Sequence, residues 1–252
     1  MPRRPFTTRL PAPYLKRITM IADRVDADQG YPFNLPWLGE RFELEFTTPV
    51  TVIVGENGSG KSTLIEALAA MAGYDEAGGG KGYAPVDHSQ AIDKSGATLG
   101  DAFRGSWLPK VTNGWFFRAE SFYSVARYLD AAGSPSADFL SYSHGEGFLR
   151  FFSERCQRQG IYFLDEPESA LSPRRQLDLL RLLHEIQTKA SAQIIMATHS
   201  PILMALPGVR LLEISRIGIE ETTYQNTRHF RLYRNFITDP EGFIDEALRG
   251  EW

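Results

Sequence analysis

The sequence has little cysteine: Cys156 is the only one in 252 residues, so no disulfide can form within the chain. This scarcity is typical of proteins in a reducing compartment. The sequence also lacks an apolar run long enough to cross a membrane. Its first residues, Met-Pro-Arg-Arg-Pro, lack the apolar stretch of a signal peptide. We therefore expect a cytoplasmic protein with no membrane insertion of its own.

A strong excess of charge of one sign is also missing. The formal net charge is −4, so the chain as a whole gives no electrostatic sign of nucleic-acid binding. Internal repeats and sustained heptads are absent, which excludes solenoid and coiled-coil architectures. The length and the apolar content of 42% are instead typical of a globular protein with a substantial core.

The most informative motif that is present is a glycine-rich segment, GENGSGKS at residues 55–62, which fits the pattern G-x-x-x-x-G-K-[ST]. An apolar, β-branched run at residues 50–54 predicts a buried strand before it, and residues 62–71 predict a helix after it. Such a unit aims backbone N–H groups and a helix N-terminus at one point, which favours a phosphate. We expect Lys61 to reach the β- and γ-phosphates and Ser62 to offer its hydroxyl to Mg²⁺.

A second motif combines an apolar strand, residues 161–164, with the acidic pair Asp165-Glu166. The strand would deliver Asp165 to the edge of the sheet beside the glycine-rich loop, where its carboxylate can hold Mg²⁺. Because successive side chains of an extended chain point to opposite faces, Glu166 points away from Asp165. It is predicted to polarise an attacking water as a general base.

Two further motifs fit the same chemistry. His199 follows the predicted buried strand 193–197, where it can hydrogen-bond a γ-phosphate; a loop histidine with no role is the alternative. Residues 143–147, Ser-His-Gly-Glu-Gly, open a helix and so form a second anion site at a helix N-terminus. Two chains that close each other's ATP would need this second site. The alternative is that the segment is a plain helix cap.

The predicted elements indicate an α/β fold. Continuous apolar strands alternate with helices, which favours a mostly parallel sheet covered on both faces. A helix is predicted at 173–189, a terminal hairpin at 209–221, and a helical tail broken near Pro240. Residues 75–114 are rich in Gly, Ser, Asp and Lys, and we expect irregular structure there.

Taken in order, these four motifs resemble those of the ATP-binding-cassette (ABC) ATPase head, over nearly the whole chain. The resemblance implies a P-loop NTPase fold in one domain, 1–252, with an N-terminal antiparallel β part. It also implies a small helical or irregular subdomain at about 75–160 that carries the signature motif. The cofactors implied are ATP and Mg²⁺, and the partner is a second copy in an ATP-dependent, head-to-tail homodimer.

The resemblance also assigns site residues. Lys61, Glu166 and His199 would be catalytic, and Ser62 and Asp165 would hold the metal. Ser143 and Gly145, the signature residues, would act on the ATP of the partner. Tyr31 or Phe33 would stack on the adenine. The nucleotide-binding residues of the glycine-rich loop are Asn57, Gly58, Ser59, Gly60, Lys61, Ser62 and Thr63.

Several positions depart from the ABC pattern. His144 replaces the first glycine of the signature, and Ser172 stands where the family has the D-loop aspartate. The Q-loop glutamine is missing after the strand 115–117, and Glu120 is predicted to take over part of its role at Mg²⁺ or water. These variants resemble the compact stand-alone ATPases related to SMC, RecF and OLD-type heads.

This resemblance favours a regulator or effector in nucleic-acid maintenance or defence, with DNA or a protein as a further partner. Two alternatives stay open: the ATP-binding subunit of a membrane transporter, and a nucleotide-dependent binding module with little turnover.

Overall fold

The computed structural model describes residues 10–25, 30–39, 41–75, 78–81, 95–111, 113–118, 144–156 and 158–250. The strands in these ranges are β1 (Leu15–Met20), β2 (Glu43–Glu45), β3 (Val50–Gly55), β4 (Phe103–Trp107), β5 (Gly114–Arg118), β6 (Ile161–Asp165), β7 (Gln193–Ala197), β8 (Arg210–Ser215) and β9 (Gly218–Glu221). The helices are α1 (Lys61–Ala72), α2 (Ser95–Asp101), α3 (His144–Arg155), α4 (Pro173–Lys189), α5 (Pro201–Met204), α6 (Arg228–Thr238) and α7 (Pro240–Arg249).

The described strands form two sheets. The larger sheet has the order β5-β6-β7-β3-β8-β9, and all its neighbouring pairs are parallel except β8 and β9. The smaller sheet is antiparallel, with the order β2-β1-β4. The mixed α/β class, the mostly parallel sheet and the antiparallel N-terminal part are therefore confirmed.

Side chains of the central strands alternate between two apolar cores. In β3, Val50, Val52 and Val54 pack in the core that α3 and α4 cover. Ile53 points to the opposite face and packs in the core beneath α1 and the smaller sheet. The strands β6 and β7 alternate in the same way. Because both faces are covered, all residues of these three strands are buried, which explains their continuous apolar runs.

The strand β7 lies between β3 and β6, and this order positions the site. Ala197 is in register with Ile53 on one side and with Asp165 on the other. The strands β6 and β7 therefore end at the level of Ile53, and β3 continues to Gly55, so that the loops following the three parallel strands meet at one edge of the sheet.

Residues 95–107 differ from the expectation of irregular structure at 75–114. They form α2 and β4, and β4 pairs with β1 in the smaller sheet. The helix α2 has little apolar pattern in its sequence, although Ser95, Gly96, Leu99 and Gly100 are buried. Its packing against α1 stabilises it, and this contact between distant segments is not visible in the sequence. The division into one domain with a helical subdomain stays a prediction.

None of the helices in the described ranges is long and apolar enough to cross a lipid bilayer.

Candidate nucleotide-binding site

The glycine-rich loop runs from the end of β3 to the start of α1, and two of its glycines have no room for a side chain. A Cβ on Gly55 would lie 2.6 Å from the carbonyl oxygen of Ile214. A Cβ on Gly60, whose φ is +92°, would lie 2.9 Å from Leu35 Cδ2 and from Trp37 Nε1. The loop can therefore adopt this path only with glycine at both positions.

The start of α1 fits a phosphate group. Gly60 is the N-cap residue, and in the described part of the chain no side chain caps this end, so its N–H groups are available to an anion. The Ser59 hydroxyl is buried without a hydrogen-bond partner among the described residues. Asn57 and Gly58 form the turn before it. These unsatisfied donors are the ones that phosphate oxygens would bind.

Lys61 is the cation of this loop. It is 4% exposed, and its Nζ donates to the carbonyl oxygen of Glu56 at 3.1 Å. Burial lowers the pKa of Lys61, and the carboxylates of Glu166, Asp165, Glu56 and Glu168 oppose that shift. The ammonium group therefore lies in an acidic pocket, where the phosphates of a nucleotide would add further negative partners.

An aromatic loop packs against the glycine-rich loop. The indole N–H of Trp37 donates to the carbonyl oxygen of Ser59 at 2.8 Å. Phe33 is buried in the core beneath α1. Tyr31 is 51% exposed, and its hydroxyl is in hydrogen-bond contact with that of Thr63. Of the two aromatic residues predicted to stack on adenine, Tyr31 has the accessible ring, and its assignment stays a prediction.

Asp165 ends β6 and is 8% exposed. It continues the alternation of Ile161 and Phe163, whose side chains lie in the core that α1 covers. Ser62 lies in the first turn of α1. The carboxylate and the hydroxyl predicted to hold Mg²⁺ are therefore on the same side of the sheet, at the same edge.

Among the described residues, no group of three or more His, Cys, Asp and Glu side chains could hold a metal ion by itself. Proteins bind Mg²⁺ through one or two carboxylates together with the phosphates of the substrate, and the Mg²⁺ predicted at Ser62 and Asp165 stays a prediction.

Glu166 has an unusual backbone conformation for a residue with a side chain. Its φ is +47° and its ψ is +54°, in the left-handed region, and its N–H donates to the carbonyl oxygen of Ala197 at 3.1 Å. A non-glycine residue in this region costs on the order of 1 kcal/mol or more and is typical of functional sites. The turn leaves the carboxylate 39% exposed and brings Oε1 within 3.5 Å of His199 Nε2.

His199 follows β7 and lies between the other two loops. Burial lowers its pKa, nearby Lys61 lowers it further, and Glu166 opposes the shift, so the imidazole is held neutral. Its backbone N–H donates to the carboxylate of Glu168. Burial raises the pKa of Glu168. This half-buried carboxylate therefore links the loop after β6 to the loop after β7.

The remaining predicted residues are only partly described. Ser143 and Glu120 lie outside the described residues. Gly145 lies in the first turn of α3, where the neighbouring Glu146 forms an ion pair with Arg175 of α4. The roles predicted for Ser143, Gly145 and Glu120 stay predictions.

Sequence reasoning missed three residues at the site. They are Trp37, which donates to the glycine-rich loop, Glu168, which holds the backbone of His199, and His229, whose ring contacts that of His199. The second glutamate of Asp-Glu-Pro-Glu was a signal for Glu168. No local pattern could have identified His229, because it reaches the site from α6, 30 residues along the chain.

Two family models match parts of the sequence. A model described as "AAA domain" matches residues 33–101, which contain the glycine-rich loop. A model described as "AAA domain, putative AbiEii toxin, Type IV TA system" matches residues 134–205, which contain Asp165, Glu166 and His199. No curated protein matches the sequence.

The solved structures that are similar to this chain include the following two. One is titled "An inward-facing conformation of a putative metal-chelate type ABC transporter" (18% identity, TM-score 0.45, covering 74% of this chain and 76% of that chain). The other is the SMC head domain from Thermotoga maritima (17% identity, TM-score 0.46, covering 83% of this chain and 99% of that chain). The two AAA-domain matches between them contain both phosphate-site motifs, in agreement with the P-loop ATPase resemblance that the motif order predicted.

Proposed function

We propose that this chain binds ATP with Mg²⁺ and hydrolyses it, and that two copies close head to tail around the nucleotide. One observation carries the proposal: the start of α1, the Asp165-Glu166 pair and His199 follow three adjacent parallel strands whose carboxyl ends lie at the same edge of the sheet. A phosphate-binding helix start, a carboxylate pair and a neutral imidazole are the groups that phosphoryl transfer to water needs.

In the proposed cycle, the N–H groups at the start of α1 and the Lys61 ammonium bind the phosphate oxygens. Ser62 and Asp165 are the residues that would hold Mg²⁺, and this ion, when bound, neutralises charge on the β- and γ-phosphate oxygens. Glu166 orients a water for in-line attack on the γ-phosphorus and accepts its proton. The bond from that phosphorus to the bridging oxygen breaks, leaving ADP and inorganic phosphate.

The exposure of the Glu166 carboxylate supports its role as the base. In contrast to Asp165, which is 8% exposed, the Glu166 side chain is 39% exposed and can reach a water molecule. His199 lies 3.5 Å from this carboxylate and can donate from Nε2 to a γ-phosphate oxygen, so that it senses whether that group is present.

The experiment that tests the proposal measures Mg²⁺-dependent release of phosphate from ATP by Glu166→Gln. Loss of a general base lowers the turnover number by about 100-fold or more, whereas ATP affinity stays within about threefold, since the amide keeps the shape of the side chain. Glu185→Gln on the exposed face of α4 is the matched control and keeps wild-type turnover. Unchanged turnover in Glu166→Gln would remove this residue from the catalytic role.

For the physiological role, we propose a regulator or effector in nucleic-acid maintenance or defence. The description of the family model that matches residues 134–205, which refers to a toxin of a Type IV TA system, supports the defence role. Phosphate release is therefore expected to increase when duplex DNA is added. Turnover that DNA does not change would contradict a direct nucleic-acid role and leave the ATPase proposal intact.

A second candidate function is a nucleotide-dependent binding module with little turnover. The observation that favours it is Ser172, which stands at the D-loop aspartate position and serves as the N-cap of α4, accepting from the Arg175 N–H at 3.4 Å. Tight ATP binding without phosphate release at any protein concentration, with or without DNA, would favour this candidate over an ATPase.

A further inference from the structure

His229 contacts the histidine at the predicted γ-phosphate position. Its Nε2 lies 3.0 Å from Nδ1 of His199, and the two ring centroids are 5.2 Å apart. His229 is the second residue of α6, so the contact joins this helix to the loop after β7. Neither the motifs nor the family matches assign a role to it, since both matched segments end before residue 229.

The start of α6 is fixed in place, which makes the position of His229 well defined. Thr227 is fully buried; its hydroxyl donates to the carbonyl oxygen of Tyr224 at 2.8 Å and accepts from the N–H of Phe230 at 3.2 Å. The rings of Tyr224 and Phe230 pack at 4.8 Å, and Tyr224 also packs against the core covered by α3 and α4. A capped and anchored first turn holds the His229 ring against His199.

Both imidazoles are neutral near pH 7. Burial is the main cause that lowers the pKa of each ring. Two charged groups act on both rings: Lys61 lowers both pKa values and Glu56 raises both. Glu166 faces His199, and Glu213 acts on His229.

A hydrogen bond between two neutral imidazoles needs one N–H and one lone pair, and the surroundings decide which ring donates. His199 Nε2 faces the Glu166 carboxylate at 3.5 Å and forms no hydrogen bond with any described residue. A lone pair at this nitrogen would be repelled by the carboxylate, whereas a proton there is attracted to it. The proton of His199 therefore lies on Nε2, and its Nδ1 must accept.

The surroundings of His229 agree with this assignment. If His229 donates from Nε2, its Nδ1 carries a lone pair, and Nδ1 is buried without a partner among the described residues. A buried acceptor without a partner is tolerated better than a buried donor without one. The opposite tautomer would place an unsatisfied N–H at this nitrogen.

We propose that His229 is a positioning residue of the ATP site: it donates from Nε2 to Nδ1 of His199 and so holds His199 in the tautomer whose Nε2–H faces the γ-phosphate. This inference rests on the proposed ATPase function. It adds a residue of α6 to the site, and it makes the orientation of the His199 ring depend on the position of the first turn of α6.

The first experiment determines both tautomers directly, by ¹⁵N chemical shifts of the imidazole nitrogens in the full chain without nucleotide. The expected result is a protonated Nε2 and an unprotonated, hydrogen-bonded Nδ1 in His199, with a protonated Nε2 in His229. A protonated Nδ1 in His199 would overturn the inference. This readout does not depend on turnover, so it stays decisive even if the chain proves not to hydrolyse ATP.

The second experiment compares His229→Gln with His229→Phe in ATP turnover. The glutamine amide can place an N–H where the imidazole has Nε2, whereas phenylalanine keeps a ring without a donor. We expect His229→Phe to lower kcat by about tenfold, which is the worth of one hydrogen bond to a reacting group, with KM within about twofold. His229→Gln should keep kcat within about threefold of wild type.

The control is His184→Phe, the same substitution at an exposed histidine of α4, which should leave kcat unchanged. Thermal unfolding shows which variants fold. Equal kcat for wild type and folded His229→Phe would overturn the inference, and so would an equal loss in both folded His229 variants. Absence of turnover in the wild type would count against the proposed function alone. If His229→Phe does not fold, the tautomers of the wild type decide.

Discussion

Trp37 shows how a single side chain outside the motif can stabilise the glycine-rich loop. Its indole N–H donates to the carbonyl oxygen of Ser59 at 2.8 Å, and its Nε1 also fills the space beside Gly60. The residue is 5% exposed. The bond holds the peptide between Ser59 and Gly60 in the orientation that leaves the following N–H groups free for phosphate.

We predict that Trp37→Phe weakens ATP binding. The ring is kept in part, but the donor is lost, which costs about 1 kcal/mol and corresponds to about fivefold in Kd. Calorimetric titration with ATP measures the change. Trp115→Phe, the same substitution in the core beneath α3, is the control and should leave Kd unchanged. Equal Kd values for Trp37→Phe and wild type would show that the loop keeps its shape without this bond.

At the scale of elements, the start of α4 explains one departure from the ABC pattern. Ser172 has extended backbone angles, and its hydroxyl accepts from the Arg175 N–H at 3.4 Å, while Pro173 occupies the first helical position. These are standard features of a helix N-terminus. Where the ABC pattern has an aspartate, serine therefore supplies the acceptor that caps this helix.

Substitutions at Ser172 can measure how much the cap contributes to the stability of the protein. We predict that Ser172→Ala lowers the free energy of unfolding by about 1 kcal/mol, whereas Ser172→Asp, which introduces the residue of the ABC pattern and is an equally good cap, does not. Urea unfolding monitored by circular dichroism measures both. Equal stability of the alanine and aspartate variants would mean that the capping bond contributes nothing.

Elements with their own local pattern could be predicted from sequence, and those stabilised by distant contacts could not. The bounds of α4 and β7 agree with the predicted ranges 173–189 and 193–197, because each has a clear periodicity and clear end signals. The helix α2 and the strand β4 were not predicted. In β4, the sequence Phe-Arg-Gly-Ser-Trp is unremarkable, and its pairing with β1 stabilises it.

At the scale of the whole molecule, the proposed ATP site is incomplete in one chain if the signature residues act on the partner's nucleotide. Lys61 would then belong to one copy and Ser143 to the other, so that each dimer contains two composite sites. Turnover should rise faster than linearly with protein concentration, since dimers form in proportion to its square.

Mixing two inactive variants tests this arrangement. Lys61→Ala and Ser143→Arg should each lack turnover alone. In a head-to-tail heterodimer of the two, one site carries both defects and the other carries neither. Random exchange of an equal mixture is therefore expected to restore turnover to about a quarter of the wild-type value, by the symmetry of the dimer. Phosphate release that stays at the level of the separate variants would contradict the composite site.

The sequence by itself identified the glycine-rich loop between its strand and helix, the carboxylate pair after β6 and the α/β class. Each of these depends on residues close together in the chain, where spacing and periodicity are visible. Only the tertiary structure decided which distant residues complete the site, because burial and strand order bring them together. Trp37 donates to Ser59 from another loop, and Glu168, in the loop after β6, accepts from the backbone of His199, in the loop after β7. His229 contacts His199 from a helix near the end of the chain.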